Sequence, residues 1–249
     1  MIEFTMTLAG VAIHASVNYE YTREFCKDYI TDDEPEIYIT VTPQDIEDEN
    51  RMNLEAEKKK NIPPRNYTIE YLEVLNLGRQ AMIKLWPYKI VLFHSAAIAL
   101  NGEVYLFSAS SGVGKSWHSG LWLKLFPDCH ILNGDKPLLR FTEEGITVNG
   151  CPWQGKENLG VNETLPLKAV CMIHRDTVNH IERVSVEEAH DEILRQTNHT
   201  VAATREEEWE LIRGLEAVAV YRLGCNMDDE AAWVSYAAMV EEKLGVTDR

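Results

Sequence analysis

The sequence has no long apolar run and no paired cysteines, and each absence excludes a class of protein. No stretch of about 18 residues is free of charge, so no membrane span is expected. The five cysteines are scattered without a CxxC pair, which favours reduced thiols over disulfides or a zinc site. Residues 1–4 lack a basic segment followed by an apolar run, so no signal peptide is expected. These features together predict a cytoplasmic protein.

Basic residues are scarce as well. The chain has 24 Lys and Arg against 40 Asp and Glu, a formal net charge of −16. Nucleic acid is therefore an unsuitable partner, because binding its phosphates requires a basic surface. The same field repels any phosphate-bearing ligand. Any phosphate site must be built locally from backbone N–H groups, a lysine and a metal ion.

The apolar pattern changes near residue 89 and predicts two domains. Residues 1–88 are expected to form a smaller α+β lobe, and residues 89–249 a larger α/β domain. The lobe is predicted to contain strands over 2–16 and 36–41, a helix beginning at Thr42-Pro43 and a helix over 67–86. The second domain is predicted to contain strands over 90–94, 96–100, 103–107, 130–132, 146–149, 168–173 and 218–223, and helices over 117–126, from Ser185, over 205–216 and over 228–244.

A glycine-rich loop follows the strand predicted over 103–107. The run from Ala109 to Ser116 fits the phosphate-loop pattern GxxxxGK[ST], with Ala109 in place of the first glycine. Glycines let backbone N–H groups turn toward phosphate oxygens, and the next helix presents its positive end. Lys115 is expected to reach the β- and γ-phosphates, and the Ser116 hydroxyl to hold Mg²⁺. The residues expected to bind ATP are Ser110, Ser111, Gly112, Val113, Gly114, Lys115, Ser116 and Trp117.

Two other interpretations of this loop are disfavoured. A chance glycine-rich turn would not require the apolar strand before it and the apolar helix after it. A dinucleotide-binding loop would need a third glycine where Trp117 stands.

Three residues outside the loop are candidates for the chemistry. Asp135 follows the strand predicted over 130–132, where a carboxylate can hold Mg²⁺ or accept a proton, or can simply cap a turn. His94 ends a strand upstream of the loop, although a lone histidine is more often structural. Lys156 lies in a polar loop, where it could clamp the transferred phosphate or be an ordinary surface lysine.

The run from His94 to Lys168 resembles the catalytic domain of HPr kinase/phosphorylase. That family has a histidine at the start of the strand pair before the loop and a loop reading Gly-Asp-Ser-Gly-Ile-Gly-Lys-Ser, which Ala109 to Ser116 matches at both inner glycines, the lysine and the serine. It then has an Asp-Asp pair where this chain has Gly134-Asp135. The later Glu-x-Arg-Gly-x-Gly motif is replaced here by the sequence of residues 150–158, as in the shorter HPr-kinase-like proteins of peptide-maturation clusters.

The resemblance implies a P-loop kinase core of the HPr kinase/PEP carboxykinase type with a mixed sheet. It also implies self-association, for which the sequence shows no coiled-coil heptad. The expected function is ATP- and Mg²⁺-dependent transfer of the γ-phosphate to a hydroxyl, a serine of a peptide or small protein. A nucleotide-binding regulatory module with little turnover is an alternative, favoured by Gly134 in place of an acid. A small-molecule kinase is another.

Overall fold

The computed structural model describes residues 1–110 and 112–242, and the chain divides into two units, Met1–Pro87 and Tyr88–Arg249. The first unit contains the strands β1 (Ile2–Leu8), β2 (Val11–Val17) and β3 (Ile37–Thr40), the helices α1 (Glu20–Phe25), α2 (Pro43–Lys59) and α3 (Ile69–Leu85), and a 3₁₀ turn at Lys27–Tyr29. Strand β2 pairs antiparallel with β1 and parallel with β3. This unit is therefore α+β.

The single strand predicted over residues 2–16 is wrong, because β1 and β2 form a hairpin there. The turn lies at Ala9-Gly10, where both residues have positive φ angles, 50° and 76°, and Leu8 pairs with Val11 across it. Apolar residues continue through the turn, so the alternation shows no break. The predicted helix over 67–86 is confirmed as α3, with Thr68 as its N-cap.

The predicted start of α2 is confirmed in detail. The Thr42 hydroxyl accepts a hydrogen bond from the Asp45 backbone N–H at 3.2 Å, and the Asp45 carboxylate accepts one from the Thr42 N–H at 2.8 Å. Pro43 occupies the first helical position, where no N–H is needed.

The second unit is a mixed α/β structure. Its strands are β4 (Ile90–Leu92), β5 (Ala96–Leu100), β6 (Glu103–Ser108), β7 (His130–Asn133), β8 (Leu138–Thr142), β9 (Gly145–Asn149), β10 (Thr164–Arg175), β11 (His180–Val184) and β12 (Ala219–Cys225), and its helices are α4 (Lys115–Leu125), α5 (His190–Gln196), α6 (Arg205–Ile212) and α7 (Asp229–Met239). In the described part of the chain these nine strands form one sheet in the order β4-β8-β9-β10-β6-β5-β7, with β12 beside β10 and β11 beside β12.

Four strands of this sheet end at the same edge. Strand β10 is parallel to β6 and to β12, while β5 is antiparallel to both β6 and β7. Strands β7, β6, β10 and β12 therefore share one direction, and β5 begins at the edge where they end. Ligands of open α/β sheets bind at the carboxyl ends of parallel strands.

A buried aromatic cluster fixes helix α4 against the sheet. The ring of Trp122 lies 4.9 Å from that of Phe107 and 5.3 Å from that of Phe126, centroid to centroid. The Trp122 indole N–H donates to the Ser235 hydroxyl of α7 at 2.9 Å, and His118 Nε2 lies 3.0 Å from the same oxygen. Helix α4 is thus held by packing against the sheet and by hydrogen bonds to α7.

Several element predictions for the second unit need correction. Strands β8 and β11 are not predicted, and β11 has too few apolar residues to show a pattern. Ser185 and Glu188 exchange capping-box hydrogen bonds, but α5 begins only at His190. The helix predicted over 205–216 ends at Ile212 and continues as a 3₁₀ turn, Arg213–Ala217. The helix predicted to residue 244 has its described end at Met239, and residues 243–244 lie outside the described chain.

Within residues 1–110 and 112–242, every helix is too short or too polar to cross a bilayer.

Candidate active site

The glycine-rich loop connects β6 to α4 at the edge where the parallel strands end. Gly112 and Gly114 have φ angles of +80° and +128°, which L side chains rarely adopt, and an added Cβ would meet no atom within 4 Å at either position. These glycines are therefore needed for backbone conformation rather than for space. Helix α4 begins directly after them at Lys115, so its positive end faces the loop. The predicted Ser111 lies outside the described residues.

Arg175 was not predicted from the sequence as a site residue, and it forms hydrogen bonds to this loop. Arg175, the last residue of β10, donates through Nε to the Val113 carbonyl at 3.1 Å and through a second guanidinium nitrogen to the Gly112 carbonyl. These contacts turn two loop carbonyls toward β10, on the side away from β5. A basic residue ending a buried strand was the signal available in the sequence.

Three predicted residues meet at one carboxylate oxygen. Lys115 Nζ lies 2.9 Å from Asp135 Oδ1, and His94 Nε2 lies 3.0 Å from the same atom. The Lys115 side chain is only 12% exposed. Two potential cations therefore converge on one acid in a sheltered place.

Asp135 is held by a turn that Asn133 organises. The buried Asn133 side-chain oxygen accepts hydrogen bonds from the Asp135 and Lys136 backbone N–H groups at 3.0 and 2.7 Å. The Ser95 N–H donates to the Asp135 carbonyl at 3.1 Å, which ties the turn to the start of β5. The carboxylate is thus presented by rigid backbone.

His94 is oriented through both of its ring nitrogens. Nδ1 lies 3.0 Å from the Gln196 side-chain oxygen, while Nε2 faces Asp135. The His94 N–H also donates to the Gln196 carbonyl at 2.8 Å. The contacts at both ring nitrogens hold the His94 ring in one orientation, with Nε2 facing Asp135.

These contacts and burial shift the pKa values of both Asp135 and Lys115. Burial raises the pKa of the Asp135 carboxyl, but hydrogen bonds from His94 and Lys115 outweigh it and hold that pKa well below its ordinary value. Burial lowers the pKa of Lys115, and the hydrogen bond with Asp135 opposes that shift. Asp135 is therefore ionised at neutral pH.

The loop over residues 151–159 closes against Asp135. At Gly155 the φ angle is +82°, and an added Cβ would lie 2.7 Å from the Asp135 Cβ, so glycine is required both for conformation and for space. The Gly134 N–H donates to the Leu159 carbonyl at 2.8 Å. This loop brings the exposed Lys156, together with Glu157, to the wall of the site.

A cavity of about 540 Å³ contains the whole arrangement. The predicted residues that line it are His94, Ser110, Gly112, Gly114, Lys115, Ser116, Trp117, Asp135 and Lys156, and Val113 lies on a neighbouring cavity instead. Glu157, Arg175 and Met227 also line it and were not predicted. Arg175 and Met227 are remote in sequence from the predicted residues, so only the fold brings them here, whereas Glu157 directly follows the predicted Lys156. Lys115, Lys156 and Arg175 all line this cavity, although the chain as a whole is acidic.

The oxygen donors that line the cavity are compatible with a magnesium–nucleotide. In the described residues, no group of three or more His, Cys, Asp and Glu side chains is placed to hold a metal ion. Ser116 and Asp135 offer two oxygen ligands, and Mg²⁺ in phosphoryl-transfer sites characteristically takes one or two protein ligands with phosphate oxygens and water. The loop glycines, the start of α4 and Lys115 fit a triphosphate.

Comparisons with known proteins give a likeness only at the level of solved structures. No family model and no curated protein matches the chain. Among solved structures, the HPr(Ser) kinase/phosphatase from Coxiella burnetii has a TM-score of 0.36 and 8% sequence identity, and the match covers 61% of this chain and 94% of that chain. At these values no residue role is transferred from it.

Proposed function

We propose that the chain is an ATP- and Mg²⁺-dependent kinase with a P-loop core, which transfers the γ-phosphate to a hydroxyl, a serine of a peptide or small protein. The observation that carries this proposal is the Lys115–Asp135–His94 cluster beside a loop with two left-handed glycines at the start of α4. A phosphate cradle and an ionised acid next to it are the parts that phosphoryl transfer requires.

The proposed reaction breaks the bond between the γ-phosphorus and the bridging oxygen of ATP and forms a bond to the acceptor oxygen. ADP leaves, and the hydroxyl proton passes to Asp135 or to water. Lys115 exchanges its partner, from Asp135 to the β- and γ-phosphates. Ser116 and Asp135 would hold the Mg²⁺, which neutralises phosphate charge.

Asp135 is proposed to act mainly through its negative charge and less as a proton acceptor. A carboxyl whose pKa lies well below its ordinary value is a weak proton acceptor, although it is always available as an anion. Its basicity rises only if Lys115 and His94 move away. We therefore propose that Asp135 orients the acceptor hydroxyl and holds the metal, and accepts the proton late in the transfer.

Lys156 is proposed to contact the transferred phosphate. It is exposed on the loop that closes against Asp135, and it lines the same cavity. A flexible cation at this position can follow charge as it develops on the phosphate oxygens.

A regulatory nucleotide-binding module is the second candidate. It is favoured by Gly134, which leaves Asp135 as the only acid of its turn, already engaged by two partners. Glu157 argues against it, because a second carboxylate reaches the cavity from another loop.

The test compares Lys115→Ala with Lys124→Ala, a lysine on the same helix whose exposed side chain pairs with Asp229 at 2.7 Å. Calorimetry should show weaker Mg²⁺–ATP binding for Lys115→Ala, and γ-phosphate transfer to serine peptides should fall at least about 100-fold. Lys124→Ala should match wild type in both assays. Wild-type binding and transfer in Lys115→Ala would refute the proposed site. Tight ATP binding by the wild type without transfer to any peptide or small-molecule hydroxyl would favour the regulatory module.

A further inference from the structure

A second cavity lies beside the phosphate loop, on the side away from Asp135. It has a volume of about 330 Å³, within the range of ligand pockets. The ends of β10 and β12 and the first turn of α4 form its walls. It shares Gly114, Trp117, Arg175 and Met227 with the cavity described above, so the two are contiguous.

The wall nearest the loop is an exposed apolar surface formed by Trp117 and Met227. The Trp117 side chain follows Ser116 on α4 and is 53% exposed, and Met227 beside it is 49% exposed. The Trp117 indole N–H donates to the Met227 carbonyl at 3.0 Å, which fixes the ring in place. Large apolar side chains left open beside a polar site are characteristic of ligand grooves.

The rest of the cavity is apolar at its base and polar at its rim. Ile173 and Cys225 are buried there, and burial lowers the pKa of the neighbouring His118 to about 4, so that ring is neutral. Asp176 and Asn226 add an acceptor and an amide group. A flat heteroaromatic ring with polar edges matches this combination of surfaces.

The loops that form the rim are tied to each other. The Asp176 N–H donates to the Cys225 carbonyl at 2.9 Å, joining the ends of β10 and β12. The Asn226 N–H donates to the Asn179 side chain at 3.0 Å, and the Asn226 side-chain oxygen accepts from the Asp228 N–H at 2.9 Å. The cavity is therefore formed before any ligand enters.

The order of the strands places the two cavities at opposite ends of the phosphate loop. Asp135 and His94 lie at the β7 and β5 side, where the γ-phosphate would have to be for transfer. A triphosphate bound along the loop would then direct its nucleoside toward β10 and β12. The second cavity is on that side.

We propose that this second cavity binds the purine base of the nucleotide, stacked on Trp117 and bordered by Met227, Asp176 and Asn226. The inference rests on the proposed function, since it assumes that the loop binds a triphosphate. The base adds affinity and selectivity that the phosphate cradle alone cannot supply, because phosphates are common to all nucleotides.

The experiment compares Mg²⁺–ATP with Mg²⁺–tripolyphosphate, which occupies the loop and has no base. Trp117→Ala and Met227→Ala should weaken ATP binding, about tenfold for the tryptophan, and leave tripolyphosphate binding within about twofold. The matched control is Trp233→Ala, since Trp233 is 52% exposed on α7 and lies outside both cavities. Wild type should bind ATP and GTP more tightly than CTP and UTP, and Trp117→Ala should lose that preference.

Three other outcomes would contradict the inference, and the measurements distinguish them from one another. If ATP binds wild type but neither variant changes its affinity, the base lies elsewhere and the proposed kinase stands. If ATP and tripolyphosphate weaken equally in Trp117→Ala, the indole supports the helix and not a base. If neither compound binds wild type, the phosphate site and the base site are both wrong.

Discussion

The change Asp135→Asn removes one charge from the centre of the site while keeping the shape of the side chain. Lys115 then loses its carboxylate partner in a place where its side chain is 12% exposed, and His94 loses the partner of Nε2. A charge-assisted hydrogen bond lost in a partly buried site costs about 1.5–3 kcal/mol. Because Asp135 itself is 25% exposed, we expect about 2 kcal/mol, which for a unit of this size lowers Tm by about 4–8 °C.

The sign of the pH dependence follows from the direction of the shift. The folded-state pKa of Asp135 is lowered from 3.8, so its stabilising contribution is complete above that value and is lost as the pH falls through the folded pKa. The difference in unfolding free energy between wild type and Asp135→Asn should therefore be present at pH 7 and shrink below about pH 4. Denaturant unfolding across this range measures it.

Asp135→Asn should change phosphate affinity and phosphate transfer in opposite directions. Without metal, the variant should bind tripolyphosphate about tenfold more tightly, because Lys115 no longer has to leave a carboxylate and one repelling charge is gone. With Mg²⁺, phosphate transfer should fall by about 10²–10⁴-fold. Asp229→Asn, which breaks only the exposed pair with Lys124, is the control for both measurements. Wild-type transfer in correctly folded Asp135→Asn would show that Asp135 is only a turn residue.

Two further changes test the packing around the site. Gly155→Ala should reduce phosphate transfer at least tenfold. Gly102→Ala is the control, because Gly102 has a similar φ of +78° with no atom within 4 Å of the added Cβ, and this change should cost only about 1–3 kcal/mol of backbone strain. Equal transfer rates in the two variants would contradict the Gly155–Asp135 contact. The pKa of His118 is lowered by burial from 6.5 to about 4, so folding should lose about 3 kcal/mol as the pH falls from about 6.5 to 4. His118→Gln should lack that loss in denaturant titrations, and an unchanged pH profile in the variant would show that another group is responsible.

The local conformation of the glycine-rich loop was predictable from the sequence. An apolar strand, two glycines and an apolar helix follow one another between Glu103 and Leu125, and the structure confirms that order of elements. Such features depend on neighbours in the chain, since φ preferences and helix capping act over a few residues. The same applies to the Thr42 cap of α2. The hairpin at Ala9-Gly10 was missed because its turn carries no polar interruption.

The composition of the site depended on tertiary structure. His94 meets Gln196 across 102 positions of sequence, and Arg175 reaches Gly112 across 63. Such pairs depend on which strands lie side by side, and the alternation of apolar residues is the same for many strand orders. The sequence by itself determined that a glycine-rich turn would lie between a strand and a helix and that an acid would follow the next strand. Only the fold decided that Lys115 and His94 share that acid, because a contact between distant residues requires the sheet that brings their strand ends to one edge.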